Sequence, residues 1–136
     1  MIKKVDHIAV AVESLDEAVE LFERTLGLRV THRESAAGFD VETATFDLGD
    51  VALELVEGTS EASEVRKFIK ARGPGLHHIA FAVDDIERSL ASLKAKGVRL
   101  IDETPRPGQA GSRVAFIHPE STHKVLIELV ELERKA

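Results

Sequence analysis

The sequence predicts an α+β protein made of two tandem β-α-β-β-β modules, and three observations carry that prediction. The segment His7-Ile8-Ala9-Val10-Ala11-Val12 returns as His78-Ile79-Ala80-Phe81-Ala82-Val83. Later in each half an apolar run holds one embedded glutamate, Leu53-Glu54-Leu55-Val56-Glu57 and Ile127-Glu128-Leu129-Val130-Glu131. Between these repeats the hydrophobic period changes from that of a strand to that of a helix and back, in the same order in both halves.

In the first module, residues 5–12 read as a strand. Ser14 and Glu17 form a capping box that opens a helix. Leu15, Val19, Phe22 and Leu26 give that helix one apolar face, and Gly27 suits the left-handed residue that ends it. Strands follow near 28–34, 40–48 and 51–57, the last two joined at Gly49-Asp50. The second module repeats the order. A strand covers 76–83, Asp84 caps a helix with Glu87 three residues on, Ile86, Leu90 and Leu93 form its stripe, and Gly97 closes it. Further strands are expected near 98–102, 113–118 and 124–131.

The modules span about 1–57 and 76–136 and are joined by a linker, 58–75, that holds an extra helix at 60–71. Val65, Phe68 and Ile69 are available there for burial, opposite a basic face of Arg66, Lys67, Lys70 and Arg72. Gly73-Pro74-Gly75 breaks this helix, and 105–112, rich in glycine and proline, reads as a loop. The 136 residues are thus expected to form a single domain.

Composition narrows the function. A net charge of −6 argues against a general nucleic-acid binder, which must neutralise phosphates. The N-terminus enters a strand pattern with no signal-peptide core, and no apolar run nears the roughly 20 residues a membrane span needs, so a cytoplasmic protein is expected. Without cysteine there is no disulfide framework, thiolate metal site or cysteine nucleophile. Any metal must be held by nitrogen and oxygen, which places the weight on six histidines and on acidic side chains.

Strand alternation sets His7, Ala9 and Ala11 on one face and Ile8, Val10 and Val12 on the other. The bulky face suits the helix. The small face, with one histidine, suits a wall around a cavity, and His78, Ala80 and Ala82 repeat it. Glu54 shares its face with Ala52 and Val56, and Glu128 shares its face with Leu126 and Val130. A buried carboxylate must be protonated, paired or metal-bound. Two imidazoles and two carboxylates would satisfy one another through one divalent ion, which nominates His7, Glu54, His78 and Glu128 as ligands for Mn, Fe, Co, Ni or Zn. His77 reads as structural or solvent-facing, His32, His118 and His123 as surface residues, and Glu57 and Glu131 as solvated strand ends.

With the repeat and these four residues in hand, the chain resembles the vicinal oxygen chelate (glyoxalase-like) superfamily, and within it the methylmalonyl-CoA epimerases. The most telling segments are Asp6-His7-Ile8-Ala9-Val10-Ala11, Gly75-Leu76-His77-His78-Ile79-Ala80, Gly111-Ser112-Arg113-Val114-Ala115-Phe116-Ile117-His118-Pro119 and Val125-Leu126-Ile127-Glu128-Leu129. The resemblance implies a cupped eight-stranded sheet around the metal, with Co2+ foremost and Mn2+, Ni2+ or Zn2+ as alternatives, and a homodimer. It implies interconversion of (2R)- and (2S)-methylmalonyl-CoA by removal and return of the α-proton through an enolate. It nominates Glu42, in Val41-Glu42-Thr43, as one acid/base and Glu128 as the other, and Ser112 as a substrate contact. Some epimerases of this kind have glutamine at the position of Glu54. Read from its neighbours alone, Glu42 is a solvated edge residue, and the basic face of 66–72 is a solvated helix face before it is a site for coenzyme A phosphates.

The nearest rival is a lactoylglutathione lyase, which uses the same cage, and Glu42 with the Leu-His-His and His-Pro segments favours the epimerase. An extradiol-type iron dioxygenase would use two histidines and one carboxylate, so the fourth candidate ligand counts against it. A metal-free binding protein of the same fold would have no use for four intact ligand candidates.

Overall fold

The computed structural model describes residues 1–132, without the side chain of Ala37. Eight strands follow the order β2-β3-β4-β1-β5-β8-β7-β6 in a mixed sheet, with three α-helices, so the expected α+β architecture of two β-α-β-β-β modules is borne out. The chain divides into two compact units, one of residues 7–77 and one of residues 1–6 with the chain from His78 on. Among the described residues no helix is long and apolar enough to cross a membrane.

In the unit 7–77, β1 (Ile2–Ala11) runs parallel to β4 (Ala52–Gly58), which pairs antiparallel with β3 (Val41–Asp47), and β3 with β2 (His32–Ala36). Helix α1 (Leu15–Leu26) forms as its caps dictate. Ser14 Oγ accepts from the Glu17 amide, and Gly27, at φ 70°, returns its N–H to the Glu23 carbonyl. The apolar stripe of α1 packs Leu15, Val19 and Phe22 on Val10, Val12, Ala44, Phe46 and Leu55.

The opposite face of the sheet takes α2 (Glu64–Arg72). Its Val65, Phe68 and Ile69 cover Ala9, Ala11, Val41 and Val56. This helix starts four residues later than the sequence suggests. Ser63 is the cap, its Oγ accepting from the Val65 and Arg66 amides, while its own N–H closes a turn on the Ser60 carbonyl. The cap lies hard against Gly58, where a Cβ would stand 2.4 Å from Arg66 Cγ and 2.6 Å from Ser63 Oγ.

In the other unit, β5 (Gly75–Val83) runs parallel to β8 (Ile127–Glu131), β8 pairs antiparallel with β7 (Arg113–Ile117), and β7 with the two-residue β6 (Arg106–Pro107). Helix α3 (Ile86–Ala95) packs Ile86 and Leu90 on Val83, Ala115, Ile117 and Leu129. Three expectations are corrected. Asp85, not Asp84, caps α3, because its Oδ1 is the atom that accepts from the Arg88 amide. The strand expected at 98–102 is reduced to a single bridge, Leu100 to Ile117, as Asp102 turns to accept from the Phe116 amide with its carboxylate. The strand expected at 28–34 begins only at His32.

Glu57 and Glu131 are not simply solvated. Glu57 Oε1 accepts from the Leu15 amide at 2.6 Å, and Glu131 Oε2 accepts from the Ile86 amide at 2.8 Å. Each carboxylate meets a donor that the first helical turn cannot satisfy, at the positive end of the helix dipole. Glu131 Oε1 also accepts from Arg113 Nη2 at 2.9 Å. Glu87 and Glu131 together hold that guanidinium above its ordinary pKa. Replacing Glu131 with alanine is expected to cost about 1–2 kcal/mol, read as a lower urea midpoint with unchanged slope.

Candidate metal and acid/base site

The strand register of the unit 7–77 lays its side chains out in rows. Residues paired across adjacent strands share a face, so one row runs Ala9, Glu54, Thr45, His32 and the next Ala11, Val56, Thr43, Glu34. His7, on the same face of β1, pairs with Ala52. Helix α2 lies over Ala9, Ala11, Val56 and Val41, so the Glu54 row begins under this helix at Ala9.

His7 Nε2 is 3.8 Å from Glu54 Oε2, with side chains only 13% and 11% exposed. In the other unit, His78 Nε2 is 3.4 Å from Glu128 Oε1, at 7% and 10% exposure. The His78 ring stands edge-on to Phe116, centroids 5.5 Å apart. Ala80 is the neighbour of Glu128 in the register, as Ala9 is of Glu54. Each unit therefore offers one imidazole and one carboxylate, nearly buried and close together.

This donor set passes a chemical test for a divalent ion. Nitrogen and oxygen ligands about 2.0–2.2 Å from a metal and at right angles to each other lie about 3 Å apart, and 3.4–3.8 Å is within a small side-chain adjustment of that spacing.

Glu42 is placed elsewhere. It pairs with Glu57 in an unbroken register, and Glu57 reaches α1, so Glu42 lies on the α1 side of the sheet while Glu54 lies on the side that takes α2. Its Oε1 accepts from Arg33 Nη2 at 3.1 Å, and the same nitrogen is 2.9 Å from Asp16 Oδ1 on α1. Asp16 first, then Glu42, raise the Arg33 pKa above its ordinary value. The β3 residue that shares the face of Glu54 at this level is Thr43, 1% exposed, its Oγ1 donating to the Glu34 carbonyl. The structure thus brings His7 to Glu54 and His78 to Glu128, and it does not bring Glu42 to Glu54.

Ser112 is buried just before β7, and a Cβ on Gly108 would stand 2.6 Å from its Oγ, so glycine at 108 lets the hydroxyl occupy that place. The basic face of α2 is largely engaged: Arg66 and Lys70 meet Glu61 at 2.8 and 3.0 Å, and Lys67 meets Glu64 at 3.3 Å. His77 packs edge-on to Phe68, and His118 Nδ1 accepts from the Glu120 amide, so both have structural partners. His32 is 54% exposed, a surface residue as the sequence suggests. Alternation alone gives no face to a residue at the start of a short strand, whereas its pairing with Thr45 puts it in the row of Glu54.

The chain matches the Glyoxalase/Bleomycin resistance protein/Dioxygenase superfamily over residues 6–116. It is 41% identical to the uncharacterized protein YqjC of Bacillus subtilis (strain 168), covering 94% of this chain and 91% of that one. It is 35% identical to the mitochondrial methylmalonyl-CoA epimerase of Dictyostelium discoideum, covering 96% and 79%. Among solved structures, a variant of the Streptomyces coelicolor methylmalonyl-CoA epimerase in complex with 2-nitronate-propionyl-CoA superposes with a TM-score of 0.94, at 37% identity over 98% of this chain and 100% of that one.

Proposed function

Since the chain belongs to the glyoxalase/bleomycin resistance protein/dioxygenase superfamily, among its methylmalonyl-CoA epimerases, we propose that it interconverts (2R)- and (2S)-methylmalonyl-CoA with the help of a divalent metal ion. The observation that carries this reading is the repetition of a nearly buried histidine-glutamate pair, once per unit, on strands whose neighbouring side chains are alanines.

His7, Glu54, His78 and Glu128 are the proposed ligands. When bound, that ion would supply positive charge beside the thioester oxygen as enolate charge develops there. The proteins' own groups do the rest. Imidazoles and carboxylates orient the acyl group, the apolar walls limit water, and two acid/base groups on opposite sides of the α-carbon remove and return the proton. Glu128 is proposed as one of these. Glu42 is the resemblance's nominee for the other, and its position on the α1 side of the sheet leaves that role open to a different group. Ser112 is a proposed hydrogen-bonding partner of the acyl group. Co2+ is the proposed ion, a homodimer the proposed assembly and the cytoplasm the proposed location, each by analogy with the family.

The decisive assay incubates metal-loaded protein with one methylmalonyl-CoA epimer in deuterated water. Inversion with α-deuterium uptake is expected. No inversion, together with turnover of the glutathione hemithioacetal of methylglyoxal, would transfer the assignment to a lactoylglutathione lyase. Removing the metal with a chelator is expected to lower the thermal midpoint, because an ion present at a hundredfold its Kd stabilises the fold by about 2.7 kcal/mol. Adding Co2+ back should restore it, and an unchanged midpoint would count against a resident ion.

A further inference from the structure

An epimerisation that proceeds by proton transfer on both sides of a carbon needs two carriers, and Glu42 faces α1. On the other side of the sheet, the titratable side chains that β2, β3 and β4 present are His32, Glu34, Asp47 and Glu54. Glu54 is taken as a ligand, and Asp47 lies one row away beside Ala52. His32 stands in the row of Glu54, with only Thr45 between them. Two strand spacings separate the two backbones, roughly 10 Å. The half-buried Thr45 is the side chain that separates them in that row.

His32 is also equipped for the work. Its Nε2 is 3.2 Å from Glu34 Oε2, the next residue on the same face of β2. A carboxylate accepting from Nε2–H fixes the tautomer and leaves the Nδ1 lone pair to take a proton. At 54% exposure the ring can also exchange that proton with solvent.

We propose that His32, oriented by Glu34, is the second proton carrier of this site. The inference rests on the epimerase reading given above. In the step, the α-carbon–hydrogen bond breaks, its electron pair moves into the thioester to form the enolate, and the proton passes to His32 Nδ1. A proton delivered to the opposite face by the other carrier completes the inversion, and reaction in the reverse direction returns the His32 proton. His32 is the catalytic residue, and Glu34 is a positioning residue.

The test uses metal-loaded protein and both epimers in deuterated water, comparing wild type with His32→Gln, Glu34→Gln and Glu42→Gln, and measuring metal content and thermal unfolding of each. His32→Gln is expected to slow inversion by about 10²–10⁴-fold at unchanged metal content, while one epimer still takes up deuterium with retention through the remaining carrier. Glu34→Gln, which keeps a hydrogen-bond acceptor for the ring, should show a smaller loss. A second readout is independent of turnover: the His32 ring signals in an NMR spectrum should shift when malonyl-CoA is added. Wild-type inversion rates in His32→Gln, or loss of exchange in Glu42→Gln alone, would overturn the assignment. Should wild type leave both epimers untouched, the epimerase reading itself falls and this inference falls with it.

Discussion

Replacing His78 with alanine is expected to lower metal stoichiometry sharply and to abolish α-proton exchange. The imidazole is 7% exposed and its Nε2 lies 3.4 Å from Glu128 Oε1, so deletion removes one proposed ligand and strips a nearly buried carboxylate of its partner. Altering groups that merely support a ligand already weakens metal binding about 10–100-fold, and removal of the ligand itself should exceed that. Loss of this buried contact adds a stability cost of about 1–3 kcal/mol. Metal analysis after dialysis checks the first effect and denaturant titration the second. Unchanged stoichiometry would contradict the ligand assignment even if activity fell.

Phe46→Ala should have the largest effect on folding. Its side chain is fully buried and lies near-parallel to Phe22, ring centroids 6.1 Å apart, within the core that holds α1 to the sheet. Truncation of a buried phenylalanine costs about 3–5 kcal/mol, a large fraction of the roughly 5–15 kcal/mol that typically stabilises a folded protein. A fall in the thermal midpoint of roughly 10 °C follows for a chain of this length. Phe46 is on the α1 side and Glu54 on the other, so the folded fraction should still bind metal. A variant that loses metal while remaining folded would show that the two faces are not independent.

The comparison of sequence with structure has a physical pattern. The helices were legible because their signals are local: Ser14, Gly27 and the Leu15-Val19-Phe22 stripe act within a few residues of one another. The two histidine-glutamate pairs were legible because the repeat doubled a weak signal. Which side of the sheet Glu42 faces cannot be read from its neighbours along the chain. That is settled by pairing with Glu57, fifteen residues away, and by the contact of Glu57 with α1. The row that His32 shares with Glu54 is likewise set by pairing across strands. Asp84 and Asp85 differ by one position, and only the amide that each could reach decides between them.

The capping glutamates sharpen this point. Glu54 and Glu57, like Glu128 and Glu131, are separated by an odd number of steps, so each strand sends one acid toward the histidine and the other toward the start of a helix. A single inserted or deleted residue inside either tetrapeptide would put both acids on one face, so that either the helix loses its pin or the ligand position is emptied. Length variation in descendants of this gene should therefore be absent from these two stretches and collect in the turns around them.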